Sequence, residues 1–156
     1  MTTQTPSTQA RVEARLEIAQ ALCESRGSRL TPLRRRVLEI LLQQGRSVKA
    51  YELLELMRDD QAGAAPPTVY RALDFLVEEG LAHRLDAINA WAACHDAGGE
   101  PHDLLVVCTA CGSVAELSDP SLTRRLAEKV AEAGFRLSGH EMELRGLCKG
   151  CEGSLP

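Results

Sequence analysis

Two short cysteine turns, Cys108-Thr109-Ala110-Cys111 and Cys148-Lys149-Gly150-Cys151, restrict what this chain can fold into more than any other feature. Four thiolates in two Cys-x-x-Cys turns suit one closed tetrahedral zinc site, so any fold must bring both turns to a single point. Gly112, Gly150 and Gly153 are expected to supply permissive backbone at those turns. Thirty-six residues lie between Cys111 and Cys148, whereas a plain zinc ribbon has a gap of about 15–20. The metal is therefore expected to pin the end of a small α/β domain to its beginning. Disulfides or unrelated buried thiols are the other readings of the same residues. Against disulfides, Met1 to Ala10 is polar and rich in Pro and Thr, and no apolar run reaches membrane-spanning length. The expectation is a cytoplasmic chain in a reducing compartment, where thiolate ligands are favoured.

A chain of 156 residues with 44% hydrophobic but only 3% aromatic residues makes one domain or two small ones with aliphatic, modest cores. The net charge of −4 argues against nucleic-acid binding only while the chain is taken whole. Residues 1–86 hold 12 Lys/Arg and 12 Asp/Glu, and residues 87–156 hold 6 and 10, so the acidity belongs to the second part. Between Arg26 and Lys49 there are seven basic residues (Arg26, Arg29, Arg34, Arg35, Arg36, Arg46, Lys49) against Glu39 alone. Such a run suits phosphates, though a solvated helix face has the same composition.

Residues 1–10 are expected to be disordered, and Arg11 to Arg26 reads as an amphipathic helix with Val12, Leu16, Ala19 and Cys23 inward. Thr31-Pro32 is a cap followed by proline at the first helical position, opening a helix with Leu33, Val37, Ile40 and Leu41 inward and Gly45 as its stop. Another helix begins near Lys49 with Leu53, Leu54, Leu56 and Met57 inward. Pro66-Pro67-Thr68 starts a third, whose stripe is Val69, Ala72, Leu73, Leu76 and Val77. That stripe leaves Thr68, Tyr70, Arg71 and Asp74 outside, near the end where recognition helices touch bases. Leu81–Leu85 and Ala90–Ala93 read as a hairpin around Asp86-Ala87-Ile88-Asn89. Three helices and a hairpin form a winged helix.

The predicted fold is thus α+β: a winged-helix DNA-binding domain at 11–94, a hinge at 95–102 containing Gly98-Gly99-Glu100-Pro101, and a small α/β domain at 103–156. In the last, Leu104–Val107, Val114–Leu117, Phe135–Leu137 and Glu141–Leu144 read as strands. Asp119-Pro120 opens a helix with Leu122, Leu126, Val130 and Ala133 in register. Further metal ligands cluster around the hinge: His83, Cys94, His95, His102 and Glu116. Two imidazoles, one thiolate and one carboxylate make a tetrahedral zinc sphere, and the thiolate disfavours manganese, magnesium and calcium.

The block Pro66-Pro67-Thr68-Val69-Tyr70-Arg71-Ala72-Leu73, followed by the two cysteine pairs, resembles the ferric uptake regulator superfamily over about residues 11–152. Within it the zinc uptake regulators order their sensing ligands as His, Cys eleven residues on, His eight further on, then Glu beyond the first cysteine pair. The resemblance assigns a regulatory zinc to His83, Cys94, His102 and Glu116, and a structural zinc to Cys108, Cys111, Cys148 and Cys151, two Zn2+ per chain. The iron branch carries a His-rich run before the first cysteine pair, where this chain keeps only Pro101-His102-Asp103. His140 falls where several relatives place another ligand, but isolated histidines are usually structural, and His95 points away from its neighbour Cys94.

What the resemblance implies is a homodimeric, zinc-responsive repressor of zinc uptake and homeostasis genes, dimerised through its C-terminal domain and bound to double-stranded operator DNA. Membrane and small-molecule substrates are not expected as partners. Arg71 is the expected base reader, with Tyr70 and Thr68 beside it. Tyr51 matches a DNA-facing position in the relatives, and Lys49, Arg34, Arg35 and Arg36 are expected at phosphates. An iron- or peroxide-sensing regulator and a structural-zinc winged-helix module for protein contacts are the alternatives. An enzyme is not expected, since a catalytic zinc keeps an open position and four ligands fill this one.

Overall fold

The computed structural model describes residues 7–59, 65–99, 102–138 and 141–153. His140, considered above as a possible ligand, lies outside the described residues. The chain divides into two compact units, Met1–Gly98 and Gly99–Pro156.

In the first unit the elements run α1 (Thr8–Ser25), α2 (Pro32–Gln44), β1 (Val48–Lys49), α3 (Ala50–Met57), α4 (Pro66–Glu78), β2 (Ala82–Leu85) and β3 (Ala90–Ala93). Helix α1 starts three residues before the expected Arg11, because the Ser7 hydroxyl accepts from Ala10 N and so caps an orphan amide. Its buried residues are Val12, Leu16, Ala19 and Cys23, the four expected from periodicity. Thr31 caps α2 through Arg34 N at 3.4 Å, with Pro32 at the first helical position. In α3 only Ala50, Leu53 and Met57 are buried, and Leu56 is 43% exposed: Leu54 and Leu56 flank the face that 50, 53 and 57 define. The α4 stripe of Val69, Ala72, Leu73 and Leu76 packs into one core with α1, α2, α3 and Trp91. Each fully buried Val or Leu there contributes about 1.5–3 kcal/mol.

The wing has three strands, not two. Strand β3 pairs antiparallel with β2 in the register His83↔Ala92 and Arg84↔Trp91, while the two-residue β1 adds Val48↔Trp91 on its other edge. So short a strand, ending at the N-cap of a helix, carries no alternation by which sequence could announce it. A single 3₁₀ turn, Asp86–Ile88, followed by Asn89 at φ 49°, closes the hairpin, and asparagine tolerates that left-handed conformation.

The second unit contains β4 (Leu104–Cys108), β5 (Val114–Leu117), α5 (Pro120–Glu132), β6 (Met142–Gly146) and the short α6 (Lys149–Glu152). Strand β4 is central, antiparallel to β5 and parallel to β6. Because Cys108 lies opposite Gly146 in the parallel register, the first cysteine turn and the chain leading to Cys148 leave the sheet at one end. The long gap between the cysteine pairs is the crossover that a parallel strand requires. Phe135–Leu137, expected as a strand, is irregular, and Phe135 is 71% exposed. Helix α5 has no buried residue, and its Leu122 and Leu126 are exposed, as are Leu117, Leu137, Leu144 and Leu147 elsewhere in the unit. An apolar helix face at the expected spacing is present, but one copy of the unit does not cover it.

Candidate metal centres and nucleic-acid interface

Strand β4 ends at Cys108, and a turn closed by Gly112 N on Cys108 O (2.9 Å) carries Cys111 back beside it. Gly112 adopts φ 78°, which a side chain would strain. Gly150 and Gly153 do not have positive φ, contrary to expectation. The second pair is built differently, with Cys148 capping α6 and Cys151 within it. The four sulfurs lie within 4.8 Å of one another, with Cys111 and Cys148 Sγ 3.8 Å apart. No disulfide joins any of the six cysteines. Cys148 N donates to Cys108 Sγ at 3.4 Å, and Thr109 N donates to Gly146 O at 3.0 Å, locking one turn to the other.

These contacts set the sulfur chemistry. Backbone amides of Cys111 and Cys148 stabilise the Cys108 thiolate and bring its pKa down to about 6, and Ser113 lowers that of Cys111. Cys151 is pushed up to about 12 because its thiol hydrogen-bonds to Cys148, Cys111 and Cys108, with burial and the Cys108 charge adding to the effect. A dication held among the sulfurs would favour the deprotonated form instead. The donor set, all sulfur and four in number, fits zinc in a closed structural site.

The hinge ligands fall into two pairs, one in each unit. On the wing, His83 stands opposite Ala92, so Cys94, two residues further along the same face, is its diagonal neighbour. Cys94 N is held by Leu81 O at 2.9 Å. The ligand atoms of His83 and Cys94 are within 4.8 Å of each other, and both residues are buried. In the second unit His102 Nε2 lies 3.0 Å from Glu116 Oε2, close enough for an ion pair but without the alignment of a hydrogen bond. His95 is exposed, and its carbonyl accepts from Arg15 of α1. Each pair offers two donors of the kinds that tetrahedral zinc accepts.

On the first unit's surface, Thr68, Tyr70 and Arg71 are exposed in the first half of α4, Tyr51 is 68% exposed, and Lys49 is exposed at the start of α3. Tyr70 sets its ring edge-on to Trp91 at 5.8 Å, and the Arg84 guanidinium lies 5.6 Å from the Trp91 ring. The arginine run is more committed than its composition implied. Arg34 stacks on Phe75 at 3.7 Å and donates to Arg29 O at 2.7 Å, Arg35 pairs with Glu13 at 2.6 Å, and Arg36 pairs with Glu39 at 2.7 Å. These three tie α2 to α4, to α1 and within itself. Their partners come from elements distant in sequence or from a neighbouring turn, which charge counting does not resolve.

The profile of the ferric uptake regulator family matches residues 25–145. The chain belongs to that family. It is 37% identical to the zinc uptake regulation protein of Escherichia coli strain K12 over 134 residues, 85% of this chain and 78% of that protein. Identity to the ferric uptake regulation protein of Helicobacter pylori strain 26695 is lower, 27% over 143 residues, 92% of this chain and 95% of that one. Among solved structures it superposes on a zinc uptake regulator complexed with zinc and DNA with a TM-score of 0.80 at 35% identity, covering 96% of this chain and 98% of that chain. As in that family, this chain combines a winged-helix first unit with a small sheet-bearing second unit, the architecture expected from its sequence.

Sequence reasoning missed two features of this family member. Trp91, hidden among the short residues of β3, sets its ring against Tyr70 of α4, and only the strand register reveals it. Asp103, read as the neighbour of His102, is the junction of the second unit. Its carboxylate accepts from Asp119 N and Thr123 Oγ1, both at 2.9 Å. Partial burial works to raise the Asp103 carboxyl, but those hydrogen bonds hold it below its ordinary value. No described helix is long and apolar enough to cross a membrane.

Proposed function

We propose that this member of the ferric uptake regulator family is a zinc-responsive transcriptional regulator, mainly a repressor, that controls zinc uptake and homeostasis genes from the cytoplasm. It binds operator DNA as a homodimer joined through its second unit. The observation that carries the reading is the pairing of ligands: His83 with Cys94 on the wing, and His102 with Glu116 beside the central strand of the second unit. Two imidazoles, a thiolate and a carboxylate suit zinc, and the thiolate sets the site apart from those for hard cations. Cys108, Cys111, Cys148 and Cys151 hold a second, structural zinc, making two per chain.

Bound zinc supplies four strong, directional bonds at the regulatory site. His83 and Cys94 belong to the DNA-binding unit, His102 and Glu116 to the dimerisation unit, so filling all four positions restricts the connection at residues 95–102. Two recognition helices then meet major grooves about 34–36 Å apart together. Metal affinity becomes DNA affinity by linkage: a tenfold gain needs about 1.4 kcal/mol of coupling, and a near-complete switch about 5.5. Arg71 reads a base edge, Tyr70, Thr68 and Tyr51 contact the duplex beside it, and Lys49 meets phosphate. Arg34, Arg35 and Arg36 contribute phosphate contact only as far as their internal partners release them. No catalytic step is assigned.

The test is an operator mobility shift against buffered free zinc, iron and manganese, with metal counted per chain. His83→Ala and Cys94→Ser are expected to leave a folded dimer that retains one zinc and binds operator poorly at every zinc level. An unaltered zinc-dependent shift in either variant refutes the site, and a shift driven by iron in preference to zinc refutes the specificity.

A further inference from the structure

We propose that Asp103 is a positioning residue of the regulatory site, holding His102 at Glu116 and joining that pair to the helix that carries the dimer face. The inference rests on the function proposed above. His102 precedes β4 by two residues, so the β4 ladder does not itself fix it. Asp103 supplies the anchor through every polar group it has. Its N–H donates to Leu117 O at 3.2 Å, and its carbonyl accepts from Met142 N at 2.9 Å, which extends both edges of the ladder by one residue. The residue next to His102 is thereby bonded to the residue next to Glu116, and two flexible ligands become one pre-set pair.

The Asp103 carboxylate reaches in a third direction. Its Oδ1 accepts from Asp119 N and its Oδ2 from Thr123 Oγ1, each at 2.9 Å. Asp119 is the N-cap of α5 and satisfies Leu122 N with its own side chain at 3.0 Å. In a capping box the N-cap amide would be met by a Glu or Gln at the third helical position. That position here is Leu122, and Asp103 takes the role from across the sheet. Helix α5 exposes Leu122 and Leu126, on the face assigned to the second copy. One carboxylate therefore connects the dimer helix to the backbone of a metal ligand, as outer-shell partners of metal sites commonly do.

Zinc affinity of each site, measured by chelator competition on the full-length dimer, is the first readout. Asp103→Ala is expected to weaken the regulatory zinc by roughly tenfold or more, the usual cost of an outer-shell loss, and to leave the four-cysteine zinc in place. Thr123→Val, which keeps the shape and deletes the hydroxyl, is expected to shift the same affinity in the same direction by less, and Thr123→Ser to restore it. The second readout is the order of the His102 ring by NMR relaxation in protein whose regulatory site has been stripped. Order is expected to fall in the Asp103 and Thr123→Val variants and return in Thr123→Ser. Wild-type affinity and ring order in both Asp103→Ala and Thr123→Val overturn the proposal, as does loss of both zincs together, which would make Asp103 a general fold residue. A wild-type protein that holds one zinc refutes the regulator reading, while the ring measurement still decides Asp103.

Discussion

Single residues of this protein divide by whether their chemistry is local. Arg71 stands exposed on the first half of α4, where a guanidinium can read guanine through two hydrogen bonds. Arg71→Ala is expected to cost about 1–3 kcal/mol on operator DNA and far less on random DNA, measured as the ratio of the two affinities at one salt concentration. Equal losses on both would make Arg71 a phosphate contact. Glu52 behaves differently. The Arg46 guanidinium, 2.8 Å away, holds its carboxyl below the ordinary value against partial burial, and Lys49 N adds to the effect. A lowered folded pKa gives stability that is present above the unfolded value and lost as pH falls through the folded one. Denaturation of Glu52→Gln is therefore expected to show a flatter acid limb below about pH 4.3 than the parent, and an identical limb would refute the assignment. Cys94 and His83 were legible as candidate metal ligands from residue type, but their adjacency depends on hairpin register.

Elements were legible wherever a period and a stop signal agreed. Helices α1, α2, α4 and α5 follow from apolar stripes marked by Gly27, Thr31-Pro32, Pro66 and Asp119-Pro120, although the Ser7 cap starts α1 before its stripe does. Strand β1 and the irregular 135–138 segment did not, because two residues carry no alternation and an apolar triplet forms a strand only where an edge accepts it. The wing illustrates what an element gains from its neighbour: Trp91, the chain's one tryptophan, is 2% exposed and meets the ring of Tyr70. Removing that ring in Tyr70→Ala is expected to cost about 0.5–1.5 kcal/mol beyond lost area and to shift Trp91 emission to the red. Unaltered emission would mean the recognition helix is not seated on Trp91.

At the level of the whole molecule, the two units differ in what they can bury. The core of the first draws on residues 12 to 93, from four helices and three strands that close over one another. The second buries little beyond Leu104, Leu105, Val107 and Cys108 and leaves the apolar face of α5 exposed. So small a core is one that a bound metal and a second copy would stabilise. Cys148→Ser, or prolonged chelation, is expected to release the structural zinc, dissociate the dimer and unfold the second unit, while the helices of the first persist. Sedimentation and circular dichroism together check this, and a stable zinc-free dimer would overturn it.

The sequence by itself determined the candidate ligands, the order of the helices and the family resemblance, since residue type, spacing and capping are local properties written in order along the chain. Only the tertiary structure decided how far-separated residues meet. The parallel pairing of β4 with β6 brings cysteine turns 36 residues apart to one end of a sheet. Arg34 is drawn to Phe75 instead of being left to solvent, and Asp103 becomes the cap of a helix it does not precede. Such contacts depend on register and on which groups the packed chain leaves unsatisfied, and neither is fixed until the elements have closed on one another.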